Sequence, residues 1–282
     1  MDNGGTYTLI HFTDVHAVAD GLLLKDHVDT VGTLATGLAA VVASGRAIDA
    51  IVVSGDIADD GDDASYRRVA DLLEPTAREL GAAVVVAMGN HDLRSSLREG
   101  LAGEEPGTGS YDHAVRLGGL RVITLDSTVP GEAHGELEDG QLDWLRRELA
   151  TAAPDGSLLV LHHPPIPSAL PMMNAIGLRE PERLAEVLAG SDVRLVLAGH
   201  THSATAGSVA GIPVWVGPAS AYALDPLPPA GTVRGLAFHA YTLVEIFAGS
   251  VMTTQVPIVG PKMETIYQTA AESAEMLATD EA

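Results

Sequence analysis

Residues 7–16 read Tyr7-Thr8-Leu9-Ile10-His11-Phe12-Thr13-Asp14-Val15-His16, an apolar run that ends on a carboxylate and an imidazole. The same event recurs four more times along the chain. The runs 50–54, 83–88, 157–161 and 193–198 lead into Gly55-Asp56, Gly89-Asn90-His91-Asp92, His162-His163-Pro164-Pro165 and Gly199-His200-Thr201-His202. Runs so rich in Val, Ile and Leu read as strands buried on both faces, as in parallel sheets. Open α/β sheets place their ligands at the carboxyl ends of such strands. The polar residues from Asp14 to His202 are therefore expected to converge on one site of an α/β protein.

Helical spacing fills the intervals between these strands. Residues 28–44, 140–150 and 180–188 carry it, and so does a segment that Asp62 or Asp63 caps and Pro75 ends after Leu73. Residues 120–125 form a further strand. Beyond His202 the segments 211–216, 241–247 and 251–257 read as β-structure, the last two hinged on Gly249. Residues 225–235 are rich in Pro and Gly and read as a surface loop. The tail has helical spacing at Met263, Ile266, Ala270, Ala274 and Leu277, which divides the chain into a body over 1–260 and a tail over 261–282.

Composition narrows the function classes. The chain has 282 residues, 46% of them hydrophobic, which is enough for a large core. No apolar run approaches the ~20 residues that span a bilayer. The start, Met1-Asp2-Asn3-Gly4-Gly5, has neither the basic nor the apolar part of a signal peptide. With no cysteine, disulfides and thiolate chemistry are excluded, and a cytoplasmic location is expected. A formal charge of −22 argues against nucleic acid and against an anionic membrane surface as partners. Lysine is confined to Lys25 and Lys262, which reads as a genomic bias.

The clusters supply carboxylate, imidazole and amide donors with no sulfur, a set suited to hard or borderline metals. Asp14 and His16 are two apart, so at an extended strand end both point the same way. His200 and His202 repeat that spacing. Asp56 and Asn90 each follow a glycine, which lets the chain turn and a ligand approach.

In the order D-x-H, G-D-x-x-D, G-N-H-D, H-H-P-P and G-H-T-H, residues 7–257 resemble the calcineurin-like metallophosphoesterases. Within them, Leu161-His162-His163-Pro164-Pro165-Ile166-Pro167 and Ser127-Thr128-Val129-Pro130-Gly131 look most like bacterial class III cyclic nucleotide phosphodiesterases. The resemblance implies a four-layer α/β/β/α sandwich of two mixed sheets with a dimetal site at one edge. It implies one metal on Asp14, His16, Asp56 and His202 and a second on Asp56, Asn90, His162 and His200. The metals are expected to be Fe, Mn, Zn or Co, with iron and manganese favoured. His91 matches the family's catalytic histidine, and Asp59 is expected to hydrogen-bond it and set its tautomer. Asp92 and His163 are expected only to shape loops.

The implied reaction is attack of a metal-bridging hydroxide on a phosphodiester, with His91 as proton donor. The implied substrate is a 3′,5′-cyclic nucleotide such as cAMP, with other phosphodiesters accepted. Alternatives are a phosphomonoesterase, a glycerophosphodiester or lipid-headgroup phosphodiesterase, and a metal-binding regulatory scaffold. The loop 129–136, with His134, and the loop 172–174 are candidate pocket walls. Tyr222 and Trp215 are candidates for base stacking, or core residues. A homodimer is implied, with the hairpin 241–257 as a candidate interface.

Overall fold

Alternating side chains decide how the layers stack. Ile51 and Val53 face one way from their strand and Ala50 and Val52 the other. The computed structural model describes residues 7–260, so the helix expected in the tail, and the tail's boundary, lie outside the described residues. One sheet runs in the order Val251–Pro257, Ala240–Ile246, Tyr7–Phe12, Ala50–Ser54, Ala83–Ala87. Its last three strands are parallel, and the hairpin Ala240–Ile246/Val251–Pro257 joins antiparallel. The other sheet runs His113–Leu117, Leu120–Leu125, Ser157–Leu161, Val193–Ala198, Ile212–Val216, Thr205–Val209. Its four inner strands are parallel and both edges antiparallel.

Three apolar cores separate four layers. Leu9, Val52 and Val85 of the first sheet meet Val122, Val160 and Leu197 of the second. On the outer face of the first sheet, Phe12, Ile51 and Val53 pack on Leu34, Leu38, Val69 and Leu73 of the helices Thr30–Ala43 and Asp63–Leu80. On the outer face of the second, Ile123, Leu159 and Val196 pack on Leu142, Leu145, Leu184 and Leu188 of Asp139–Leu149 and Pro181–Leu188. The chain is thus the expected α/β/β/α sandwich.

One expectation fails locally. The helix expected to stop at Pro75 continues to Leu80. Proline removes one backbone hydrogen bond and strains the preceding turn. The turns beyond it nevertheless pack: Ala77 is buried and Leu80 lies against the core. Gly81, at φ 67°, then closes the helix with bonds to the Ala77 and Arg78 carbonyls. The edge strands His113–Leu117 and Thr205–Val209 were not legible, because half-exposed edges carry polar residues. The expected loop 225–235 is pinched at its base, where Ala223–Leu224 pairs with Gly235–Leu236 and Arg234 pairs with Asp225.

Candidate metal centre

All five parallel strands that end on polar clusters deliver them to one edge of the sandwich. The turns after them are not extended. Asp14 (φ 51°), His16 (47°), Asp56 (49°), His200 (70°) and His202 (51°) all sit in the left-handed region. Each such residue costs about 1–3 kcal/mol, a strain that persists only where the surroundings fix it. The D-x-H and H-x-H spacings therefore work through paired left-handed residues, not through the strand alternation expected from sequence. Neighbouring loops hold them: His16 N–H donates to the Asp56 carbonyl at 2.8 Å, and His200 N–H to both Asp14 carboxylate oxygens at 3.1 Å. Close approach explains two glycines. A Cβ on Gly89 would lie 2.2 Å from Asp56 Oδ1, and one on Gly199 would lie 1.9 Å from Thr13 Oγ1.

Three overlapping groups bring ligand atoms within 4.8 Å of one another: Asp14–His16–His202, His16–Asp56–His91 and Asp56–His162–His200. Asp56 joins them. Its Oδ2 lies 3.5 Å from His16 Nε2 and 3.3 Å from His162 Nε2. His202 Nε2 is 3.4 Å from Asp14 Oδ1. Asn90 and His91 face the same cavity, while Asp14 and His162 lie fully buried behind its wall.

Each imidazole is oriented from outside. His162 Nδ1–H donates to the Ser54 carbonyl at 2.9 Å, His202 Nδ1–H to the Tyr222 carbonyl at 2.8 Å, and His16 Nδ1–H to Asp59 Oδ1 at 2.9 Å. His200 donates through Nε2, to the Ile176 carbonyl at 3.0 Å. Such bonds fix the tautomer and leave the other nitrogen's lone pair aimed inward.

Asp59 bonds His91 as expected, but through its backbone carbonyl. Its carboxylate is engaged by His16 and stands 3.6 Å from His91 Nδ1, while that nitrogen donates at 2.7 Å to the Asp59 backbone carbonyl. Asp92 is buried and accepts from the Ile57, Ala58 and Gly89 N–H groups and from the Tyr66 hydroxyl, so it shapes the turns. His163 lies behind the centre on Ser127 and the Ala133 carbonyl.

The electrostatics call for positive charge. Burial opposes ionisation of Asp56, but His162 and His16 outweigh it and hold its carboxyl well below the usual range. Burial likewise opposes charge on His162, yet Asp56 and Asp14 raise it to about 9. His200 is pushed down to about 4 by burial and by His162. Asn90 Oδ1 and His162 Nε2 are buried without a hydrogen-bond partner. An orphaned amide oxygen and an imidazole that takes up a proton beside two buried carboxylates fit cations held by oxygen and nitrogen donors.

The cavity over the centre holds about 640 Å³. Met172, Met173, Ile176, Leu224 and Leu236 form its apolar wall, and Tyr222 lies between that wall and the imidazoles. The expected 129–136 loop does not line it, and neither does His134, although Met172 and Met173 do. Trp215 is a sheet residue whose indole N–H donates to Thr242. The sequence reading passed over Lys25, which lines the cavity, and the carbonyls that orient the histidines.

The model of one family, calcineurin-like phosphoesterase, matches residues 7–204. A Rhodococcus erythropolis protein named probable cyclic nucleotide phosphodiesterase is 45% identical over 89% of this chain and 83% of its own length. A Mycobacterium tuberculosis protein named cAMP/cGMP dual specificity phosphodiesterase is 44% identical over 90% and 80%. Among solved structures, a dimetal phosphatase from Danio rerio superposes with a TM-score of 0.65 at 17% identity, covering 90% of this chain and 97% of that one.

Proposed function

The chain belongs to the calcineurin-like phosphoesterase family, and we propose that it is a binuclear-metal phosphodiesterase hydrolysing 3′,5′-cyclic nucleotides to nucleoside monophosphates. The observation that carries the binuclear reading is the position of Asp56 Oδ2, within 3.5 Å of an inward imidazole nitrogen from each cluster. One metal is assigned to Asp14, His16, Asp56 and His202, the other to Asp56, Asn90, His162 and His200. The donor set, without sulfur, supports iron or manganese. The names of the Rhodococcus and mycobacterial relatives support the substrate class.

Bound metals supply Lewis acidity to the phosphate and to the attacking water. The chain's own residues do the rest. As water oxygen adds to phosphorus its proton is released to solvent, the bond from phosphorus to O3′ breaks, and O3′ needs a proton. His91 is assigned to give it. Its Nδ1–H is engaged by the Asp59 carbonyl, so the proton transferred is the one on Nε2. Asp59 is a positioning residue, through its carboxylate on His16 and its carbonyl on His91. The buried Asp92 holds the turns of Asp56 and Asn90 together.

A homodimer and a cytoplasmic location complete the proposal. The edge strand Val251–Pro257 offers alternating exposed residues, Met252 among them, for pairing with a second copy. No helix among the described residues is long and apolar enough to cross a membrane.

The test is turnover of 3′,5′-cAMP, bis(p-nitrophenyl) phosphate and p-nitrophenyl phosphate by metal-reconstituted protein. Both diesters are expected to be cleaved, cAMP with kcat/KM far above the monoester. Preference for the monoester would make the protein a phosphatase. Very poor kcat/KM on every ester would make it a metal-binding regulator.

A further inference from the structure

The whole chain contains two lysines, and one of them, Lys25, lines the catalytic cavity. Among the described residues no other Lys or Arg lines it. Among the described residues Lys25 makes no ion pair, although the chain carries a formal charge of −22. Its Nζ stands over the Tyr222 ring, 5.6 Å from the centroid.

The backbone commits to that placement. Lys25 (φ 51°) and Asp26 (φ 60°) are consecutive left-handed residues without being glycine. Reciprocal bonds between Leu24 and Val28, at 2.9 and 3.0 Å, close the turn beneath them. Leu24 anchors it by packing with Val18, Val28, Ala221 and Tyr222. Strain of this kind persists where surrounding structure fixes it, and it concentrates at functional sites.

Tyr222 ties the turn to the centre and to the far wall. Its ring lies 4.4 Å from the His202 ring and also packs with Leu170, Met173 and Leu224. A phosphodiester held at the imidazoles therefore extends its substituent onto Tyr222, under the ammonium of Lys25. An aromatic base on this ring displaces Lys25 from the face to the base's edge. The exposed cation–π contact is exchanged for a stronger charge-assisted hydrogen bond. An ammonium has three donors and no acceptor. Guanine offers it two adjacent acceptors, N7 and O6, whereas adenine offers N7 beside an amino donor.

Resting on the cyclic nucleotide reading above, we propose that Lys25 is a specificity-determining residue that reads the acceptor edge of the base and favours cGMP over cAMP.

The test is kcat/KM for cGMP, cAMP and bis(p-nitrophenyl) phosphate with the wild type, Lys25→Met and Lys25→Arg. Lys25→Met is expected to lower the cGMP-to-cAMP ratio about tenfold, chiefly through KM for cGMP. Lys25→Arg, still a donor-only side chain, is expected to restore most of the preference. A Lys25→Met enzyme with an unchanged ratio, or with all three substrates reduced alike, overturns the proposal while leaving the enzyme a phosphodiesterase. Wild-type turnover of bis(p-nitrophenyl) phosphate with neither cyclic nucleotide cleaved overturns the substrate reading, and this inference with it.

Discussion

The Nε2 atoms of His16 and His202 face each other at 3.1 Å, while their Nδ1 atoms donate outward to the Asp59 carboxylate and the Tyr222 carbonyl. Two neutral imidazoles in those tautomers would oppose lone pair to lone pair. A proton or a cation between them removes the conflict. Asp14 and Asp56, buried on either side, supply the countercharge.

Asp56 is the one carboxylate shared by both clusters, so Asp56→Ala is expected to abolish paired metal binding. Metal analysis of the purified, reconstituted variant checks this. Two tightly held metals per chain in the variant would contradict the bridging assignment.

His91 has a free Nε2 and lies at ligand distance from His16 and Asp56, yet it is assigned to proton transfer. His91→Ala is expected to lower kcat by about 10²–10⁴-fold with both metals retained. Loss of a metal from this variant would show that His91 is a ligand instead.

Much of this site is legible in the sequence, because buried parallel strands and their polar ends are both written as residue types. What the sequence hides is conformation and main-chain chemistry. Nothing in the letters Asp14-Val15-His16 says that both ends are left-handed, since these turns are held by contacts with residues 55–57 and 200. The groups that orient His162, His200 and His202 are carbonyls of Ser54, Ile176 and Tyr222, which any residue type provides. Asp59 behaves likewise: the motif points to the residue, but its carboxylate serves His16 and its carbonyl serves His91. Pro75 reads locally as a stop, and only the packing of Ala77 and Leu80 explains why the helix passes through it. Lys25 reads in the sequence as compositional bias, and only the turn places it over Tyr222.

Tyr222 packs with both walls of the cavity and with His202, so Tyr222→Leu keeps apolar bulk but loses the aromatic face. Base stacking is worth about 1–3 kcal/mol. KM for cyclic nucleotides is expected to rise about tenfold or more, with a much smaller rise for a dialkyl phosphodiester. Equal increases for both would assign Tyr222 to packing alone.

His11 lies fully buried beneath the centre, its Nε2 2.7 Å from Ser54 Oγ, and burial pushes its pKa from 6.5 down to about 4. Between those values the unfolded chain binds a proton that the folded chain does not. Stability is therefore full above about pH 6.5 and falls as the pH drops toward 4, with no further loss from His11 below that. At about 1.4 kcal/mol per unit, the loss is of the order of 3 kcal/mol. His11→Gln keeps a hydrogen-bonding group near Ser54 and does not titrate, so its stability is expected to fall less steeply over this window. Urea midpoints measured against pH in the presence of chelator make the comparison, and parallel curves would contradict it.

One titration tests both the two metals and cyclic nucleotide hydrolysis. Mn²⁺ is added to chelator-stripped protein while 3′,5′-cAMP hydrolysis is followed. Activity absent without metal and complete near two equivalents per chain is the expected result. Full activity without metal or with one equivalent, or none at saturation, would contradict the account.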